Sequence, residues 1–290
     1  MGEKPLFPPN VALFVSILAV SSASILIKIC EAHPLAIATY RLLFATIFLA
    51  PMFLKTRGFE DLKNAGLKGV LNLILIGGVL AIHFATWITS LGFTSVANST
   101  ILVHVDPIFV AIFSYFYLRE PFTRRMLAGI ILAFAGILFI SYGDLSLSRT
   151  NLEGDLLAFI GGIMLGIYIL GGSKMRQRLS IYSYATPVYA ASTIFLAISC
   201  LLTKTSLASY SLKEFVLFIL IALVPMILGH TLYNWALKYV KAVVVSTSLL
   251  GEPIGASILA LIFLGEVPNS LTIIGGAVTL VGIYLCAKKN

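Results

Sequence analysis

The chain has 290 residues, of which 59% are hydrophobic and 11% are charged. An ordinary soluble domain is about half apolar and about a quarter charged, so this composition excludes a globular protein with a charged exterior. The formal net charge of +8 would indicate nucleic-acid binding in a soluble protein, but the positions of the basic residues predict membrane topology instead.

The hydrophobic residues form ten blocks along the chain. Each block is about 17 to 25 residues long, the length that an α-helix needs to cross about 30 Å of hydrocarbon. The sequence therefore predicts an all-α membrane protein with ten transmembrane helices. In chain order the predicted spans are 11–29, 35–54, 69–91, 96–118, 127–142, 156–172, 184–202, 215–237, 243–264 and 271–287.

The basic residues are distributed unequally between the two sides of the predicted membrane. With the amino terminus inside, fifteen Lys and Arg residues fall in cytoplasmic segments and four fall in outside segments. This bias over short loops predicts that both termini are cytoplasmic. The first block is expected to remain as a signal anchor in the cytoplasmic (inner) membrane of a prokaryote.

The two halves of the chain are similar to each other at an offset of 146 residues. Without a gap, Pro107 aligns with Pro253, Gly129 with Gly275 and Gly136 with Gly282. Identical residues also align at Lys28, Leu91, Ile108, Leu118 and Glu120. The predicted domains are a five-helix repeat over 10–143 and a second over 154–287. Because five is odd, the second repeat must be inverted in the membrane, as in many secondary transporters.

The segment Leu118-Arg119-Glu120 and its equivalent Leu264-Gly265-Glu266 resemble the Leu-Gly-Glu signature that closes the fourth helix of EamA-type repeats. These repeats define much of the drug/metabolite transporter superfamily, and Tyr40-Arg41-Leu42-Leu43 is similar to a second-helix pattern of that family. The resemblance implies ten helices, inverted repeats and a central cavity. It also implies export of amino acids or small metabolites. Arg119 departs from the signature, which puts the first of the two turns in doubt.

Two acids lie near the middle of equivalent spans. Asp106 precedes Pro107 in the fourth span, and Glu252 precedes Pro253 in the ninth. An ionisable side chain at this depth is costly, and proline interrupts a helix, so the pairs predict a binding site. Asp106 or Glu252 is expected to bind a substrate cation or a coupling proton. The alternative is that each acid pairs with a buried base or caps the interruption in its helix.

Two further sets of polar side chains are predicted to share helix faces. His83 and Trp87 are four residues apart in the third span, and His230, Tyr233 and Asn234 have helical spacing in the eighth. We expect them to line a cavity, although hydrogen bonds between helices would explain the same pattern.

Arg41, in the second span, would bind a substrate carboxylate or form an ion pair with Asp106 or Glu252. Lys28 and Lys174 are expected to be interfacial anchors. The candidate substrate-binding or coupling residues are therefore Asp106, Glu252, Arg41, His83, Trp87, His230, Tyr233 and Asn234, with Pro107 and Pro253 at the predicted helix breaks.

The function that this pattern favours is a secondary carrier for small organic solutes, with membrane lipid and a coupling proton as its other partners. An enzyme would need a nucleophile with a matching base, which the sequence does not offer. Because His104 and Asp106 would point to different faces of one helix, no metal site is expected. No cofactor, nucleic acid or obligate protein partner is implied. The alternatives within the superfamily are a nucleotide-sugar or sugar-phosphate exchanger and an efflux carrier for lipophilic cations.

Overall fold

The computed structural model describes residues 5–118, 123–145 and 149–287. Arg119 and Glu120 of the first signature lie outside these ranges. The described residues form helices and short connections without a strand. In chain order the elements are α1 (Pro9–Ser21), α2 (Ala23–Lys28), α3 (Pro34–Lys55), α4 (Gly58–Ser90), α5 (Val96–Val103), α6 (Asp106–Leu118), α7 (Arg124–Leu145), α8 (Arg149–Arg176), α9 (Ile181–Leu202), α10 (Leu212–Ile221), a π-helical segment (Ala222–Thr231), α11 (Leu232–Ala236), α12 (Ala242–Ser248), α13 (Gly251–Leu264) and α14 (Ser270–Ala287).

Most of the predicted spans correspond to helices that are long and apolar enough to cross a membrane. Eight stretches of the described chain meet this condition, and the predicted fifth and tenth spans correspond to the shorter apolar stretches Leu127–Ile140 and Ser270–Leu285. Large apolar side chains on these helices are exposed, among them Phe14, Leu138 and Leu201. A water-soluble protein would bury such a surface, whereas lipid covers it in a membrane.

Two helix starts in each half of the chain coincide under the offset of 146 residues found in the sequence. Under it the first residues of α5 and α7 fall on the first residues of α12 and α14. Helices α7 and α14, which are equivalent, pack against each other through their glycines. Gly136 lies against Gly275 and Gly282 lies against Gly129, so these two helices run antiparallel.

The two predicted helix breaks lie just before Pro107 and Pro253. Pro107 and Pro253 are in the first turns of α6 and α13, where a missing N–H group has no helical acceptor to lose. Pro253 cannot donate to the carbonyl of Leu249 four residues earlier, and the amide of Glu252 donates to that carbonyl instead, over 2.8 Å.

Two irregularities near the centre of the molecule were not predicted. The first span is divided into α1 and α2 at Ser22, and the eighth contains a π-helical segment that includes Pro225. Helix α1 contacts the π-helical segment, because the Ser16 hydroxyl donates to the carbonyl of Gly229 over 2.9 Å. The first span therefore lies against the part of the eighth that contains His230.

Candidate functional site

A narrow cavity lies at the centre of the helices, next to the breaks before α6 and α13. Its walls come from both sequence repeats, and its interior has room for little more than one water molecule. The lining residues are Val20, Ala23, Arg41, His83, Trp87, Val103, His104, Leu165, His230, Tyr233, Leu249 and Glu252. Six of the eight predicted substrate or coupling residues are among them; Asp106 and Asn234 are not.

Arg41 reaches the cavity from α3 and is completely buried. Its guanidinium carbon lies 4.1 Å from the centre of the Phe84 ring, and its Nε lies 3.4 Å from the sulfur of Met226. Neither Nη1 nor Nη2 has a hydrogen-bond partner among the described residues. The ion pair with Asp106 or Glu252 that we considered is not formed, since no carboxylate of the described chain lies within 4.0 Å of Arg41.

Trp87 supplies another unused donor to the same cavity. Its indole Nε1 is buried without a hydrogen-bond partner in the part of the chain that the structure describes. The Trp87 ring lies parallel to the ring of His83, with 6.1 Å between their centres, and His83 Nδ1 lies 2.9 Å from the carbonyl oxygen of Gly161. Unpaired buried donors are expensive in the absence of an acceptor, so this arrangement favours an anionic group in the cavity.

Glu252 faces the cavity from the first turn of α13 and pairs with His104. The Glu252 Oε2 lies 3.2 Å from His104 Nε2, and both side chains are more than 90% buried. On the other side of the ring, Nδ1 lies 2.9 Å from the carbonyl oxygen of Thr100. Sequence reasoning considered His104 only as a metal ligand and set it aside because it applied helical spacing between His104 and Asp106. The helix α5 ends at Val103, so helical spacing does not fix the direction of the His104 side chain.

Asp106 has different surroundings from Glu252, although the two acids occupy equivalent positions of the repeats. Its Oδ2 accepts a hydrogen bond from the Ser246 hydroxyl, which joins α6 to α12. Its Oδ1 has no partner among the residues described. Asp106 is therefore a buried acid between the repeats, next to the cavity wall formed by His104 but outside the lining.

His230, Tyr233 and Asn234 share one face only in part. The Tyr233 hydroxyl lies 2.5 Å from His230 Nδ1, and both rings line the cavity. Asn234 lies behind them, where its amide nitrogen donates to the Tyr168 hydroxyl over 2.8 Å and to the His230 carbonyl over 2.6 Å. The predicted cavity face is therefore His230 with Tyr233, and Asn234 holds these residues against α8.

A comparison with protein-family models identifies both halves of the chain. The model of the EamA-like transporter family matches residues 8–142 and again residues 152–287. The chain belongs to the EamA-like transporter family. The resemblance seen in the signature segments is thus confirmed, and the two matches coincide closely with the two repeats found in the sequence. As a member of a transporter family with many apolar helices, this EamA-like protein is an integral, multi-pass membrane protein.

Several curated proteins are similar to this EamA-like protein. An uncharacterized transporter of Archaeoglobus fulgidus is 27% identical over 96% of both chains. The pseudopaline exporter CntI of Pseudomonas aeruginosa is 25% identical over 77% of both chains. A probable terminal-alkyne amino-acid exporter of Streptantibioticus cattleyicolor is 22% identical over 67% of this chain and 64% of its own.

A solved crystal structure has the same overall fold. It superposes with a TM-score of 0.68 over 96% of both chains, at 15% sequence identity. At this identity the likeness shows the fold alone.

Proposed function

We propose that this EamA-like protein is a secondary carrier that exports small amino-acid-like metabolites by alternating access. The observation on which this rests is the buried Arg41 guanidinium, whose two Nη groups have no partner among the described residues and lie in the same cavity as Glu252. A carboxylate would accept from the planar fork of Arg41, and an ammonium group would donate to Glu252. A zwitterionic amino acid presents both groups.

The relatives support the same class of cargo. Two of them are named as exporters, one for pseudopaline and one for a terminal-alkyne amino acid. In the present conformation the cavity is too small for an amino acid. Cargo must therefore enter when the repeats have moved apart on one side, which is the motion that alternating access requires.

The proposed function includes a membrane topology. Ten spans in two inverted repeats, with both termini in the cytoplasm of a prokaryotic inner membrane, would agree with the distribution of basic residues. The antiparallel packing of α7 and α14 is what inversion of equivalent helices requires. Single cysteines placed at Lys55 and Lys204 would test this topology, since an impermeant maleimide applied to intact cells should label the second and not the first.

The alternatives within the superfamily receive less support from the cavity. A sugar phosphate would need several fixed positive charges, whereas Arg41 is the only Lys or Arg among the lining residues. A lipophilic cation would be repelled by an unpaired guanidinium. The protein is therefore proposed to be a carrier of zwitterions and not an enzyme.

Counterflow in proteoliposomes tests the proposal. Vesicles loaded with unlabelled L-leucine, L-methionine or L-phenylalanine should accumulate the same labelled amino acid, and the uptake should saturate. Arg41→Lys keeps the charge but loses the planar fork, so its KM should rise by about tenfold or more, the equivalent of a charge-assisted hydrogen bond of about 1.5–3 kcal/mol. Uptake that is linear with concentration and independent of the internal amino acid would instead indicate a channel.

A further inference from the structure

The contact between His104 and Glu252 fixes the number of protons that the pair holds. His104 Nδ1 lies 2.9 Å from the carbonyl oxygen of Thr100. A carbonyl only accepts hydrogen bonds, so Nδ1 carries a hydrogen. The opposite nitrogen, Nε2, lies 3.2 Å from a carboxylate oxygen of Glu252. A neutral ring protonated at Nδ1 would present a lone pair to an ionised carboxylate, which would be repulsive. The contact is an ion pair by distance, without the alignment of a hydrogen bond, and it is attractive only when the pair holds a further proton.

The proposed substrate ammonium group would contact the same carboxylate as this proton. Glu252 is the only acid among the cavity-lining residues, and His104 already occupies its Oε2. Within the cavity, an ammonium group and the protonated His104 ring would donate to the same carboxylate. Glu252 carries one negative charge and can neutralise only one of these two cations, so the other would be a buried charge without a counter-charge, which is costly.

The groups around His104 favour this competition. Arg41, His83, His230 and Tyr233 are the other titratable side chains of the lining. His83 contacts the carbonyl of Gly161 and His230 the hydroxyl of Tyr233, and neither forms an ion pair with an acid of the described residues. Outside the lining, Asp106 follows His104 by two residues, and one of its oxygens accepts from Ser246. Among these groups, the His104 and Glu252 pair is the one that joins a base directly to an acid.

We infer that His104 is the proton-coupling residue, and that a substrate ammonium group displaces its Nε2 from Glu252 so that binding releases the Nε2 proton to water. The inference rests on the proposed function. When the substrate binds, its ammonium group forms a hydrogen bond to Glu252 and the Nε2–H contact with Glu252 breaks. His104 then becomes neutral as one proton leaves for water. On the outer side the reverse step takes up a proton and expels the amino acid. Exchange of one proton for one zwitterion would let an inward proton gradient drive export.

Proton release by the purified protein tests this step. In weakly buffered detergent solution with a pH indicator, saturating L-leucine should release about one proton per chain from the wild type. The acid 4-methylpentanoate is leucine without its amino group, so it should bind at Arg41 and release none. His104→Asn keeps an N–H group for the Thr100 carbonyl and lacks Nε2. It should release no proton with leucine, and a pH gradient should no longer drive its uptake.

Two variants separate a coupling role from a structural one. His104→Gln places an amide nitrogen near Glu252 that donates permanently and does not titrate, so this variant should retain leucine counterflow while proton release stays absent. His83→Asn is the matched control. His83 has the same carbonyl contact but no acid partner, so whatever the transport rate of this variant, its leucine binding should still release a proton.

The outcomes are distinguishable from failure of the proposed function. Leucine counterflow without proton release in the wild type, or release that persists in His104→Asn, would overturn the inference alone. Loss of release in Asp106→Asn with retention in His104→Asn would assign the proton to Asp106 and also overturn it. If none of the three amino acids exchanges, the carrier proposal fails. In that case ¹⁵N spectra of labelled histidine at neutral pH test for the proton directly. An imidazolium signal that is present in the wild type and absent from His104→Asn supports the proposed pair. A wild type without an imidazolium signal refutes it.

Discussion

Glu252 and Asp106 show how two equivalent residues of a repeat protein can acquire different surroundings. Glu252 lines the cavity and pairs with His104, while Asp106 accepts from Ser246 and lies outside the lining. The two repeats share a backbone pattern, but their side chains near the cavity have diverged. His104 itself is equivalent to Leu250, so the repeat symmetry gives Asp106 no histidine equivalent to the one that pairs with Glu252.

This asymmetry predicts unequal effects for the two neutral substitutions. Glu252→Gln removes the negative acceptor of the cavity, and leucine counterflow should fall by about tenfold or more, as expected for a lost charge-assisted contact. Asp106→Asn keeps an oxygen that can accept from Ser246, so its counterflow should stay within about threefold of the wild type. Normal transport by both variants at every pH would remove the two acids from the mechanism.

At this scale the sequence predicted which side chains are unusual but not what they contact. Arg41, His83 and Glu252 were found because ionisable groups are rare in spans. That Arg41 forms no ion pair with an acid of the described chain depends on side-chain positions in other helices, which periodicity does not encode. His104 was rejected as a metal ligand because residues two apart in a continuous helix point to different faces. Helix α5 ends at Val103, so this spacing rule does not apply to His104.

At the scale of helices, Glu266 connects three elements at one end of the bundle. One of its oxygens lies 3.2 Å from Lys28 Nζ at the end of α2, and the other accepts from the amide of Val96 at the start of α5 over 2.9 Å. Lys28 was expected to be only an interfacial anchor, but it forms an ion pair with the second repeat. Glu266 also satisfies one of the free N–H groups at the start of α5, where a negative charge is favourable.

The two partners of this ion pair should therefore differ in their effect on stability. Glu266→Ala removes both the pair and the contact with Val96, and should lower the free energy of unfolding by about 1–2 kcal/mol. Lys28→Ala removes the partly exposed pair alone, for which about 0.5 kcal/mol is expected. Thermal unfolding in one detergent would compare them, and an equal or larger loss for Lys28→Ala would show that the Val96 contact contributes nothing.

The helix breaks divide into those that local sequence encodes and those that it does not. The breaks before α6 and α13 were expected from Pro107 and Pro253, since proline is unfavourable within a helix. The π-helical segment and the break at Ser22 were not expected. The π-helical segment accepts a hydrogen bond at Gly229 from Ser16 of α1, residues more than two hundred positions apart, and a local pattern cannot report such a contact.

At the scale of the whole molecule, the inverted symmetry is visible in the packing of α7 against α14. Gly136 and Gly129 of the first repeat face Gly275 and Gly282 of the second, and the offset of 146 residues exchanges the two contacts. The glycines allow the backbones to approach closely, which is the usual basis of helix association in lipid. The sequence predicted the repeat from identities that include these glycines, and its inversion from the odd number of spans in each repeat. It could not predict that the glycines pack on each other, because an offset relates positions but not contacts.

The symmetry gives a prediction with an internal control. A methyl group at Gly136 would lie 2.5 Å from the Gly275 carbonyl oxygen, and one at Gly282 would lie 2.7 Å from the Gly129 carbonyl oxygen. Both clashes are with backbone, so Gly136→Ala and Gly282→Ala should each cost about 1–3 kcal/mol of stability, and by similar amounts. Gly276→Ala meets only the end of the Ile101 side chain, at 2.7 Å, which can rotate away. Thermal unfolding should place this control near the wild type, and a large difference between the first two variants would show that the two contacts are not equivalent.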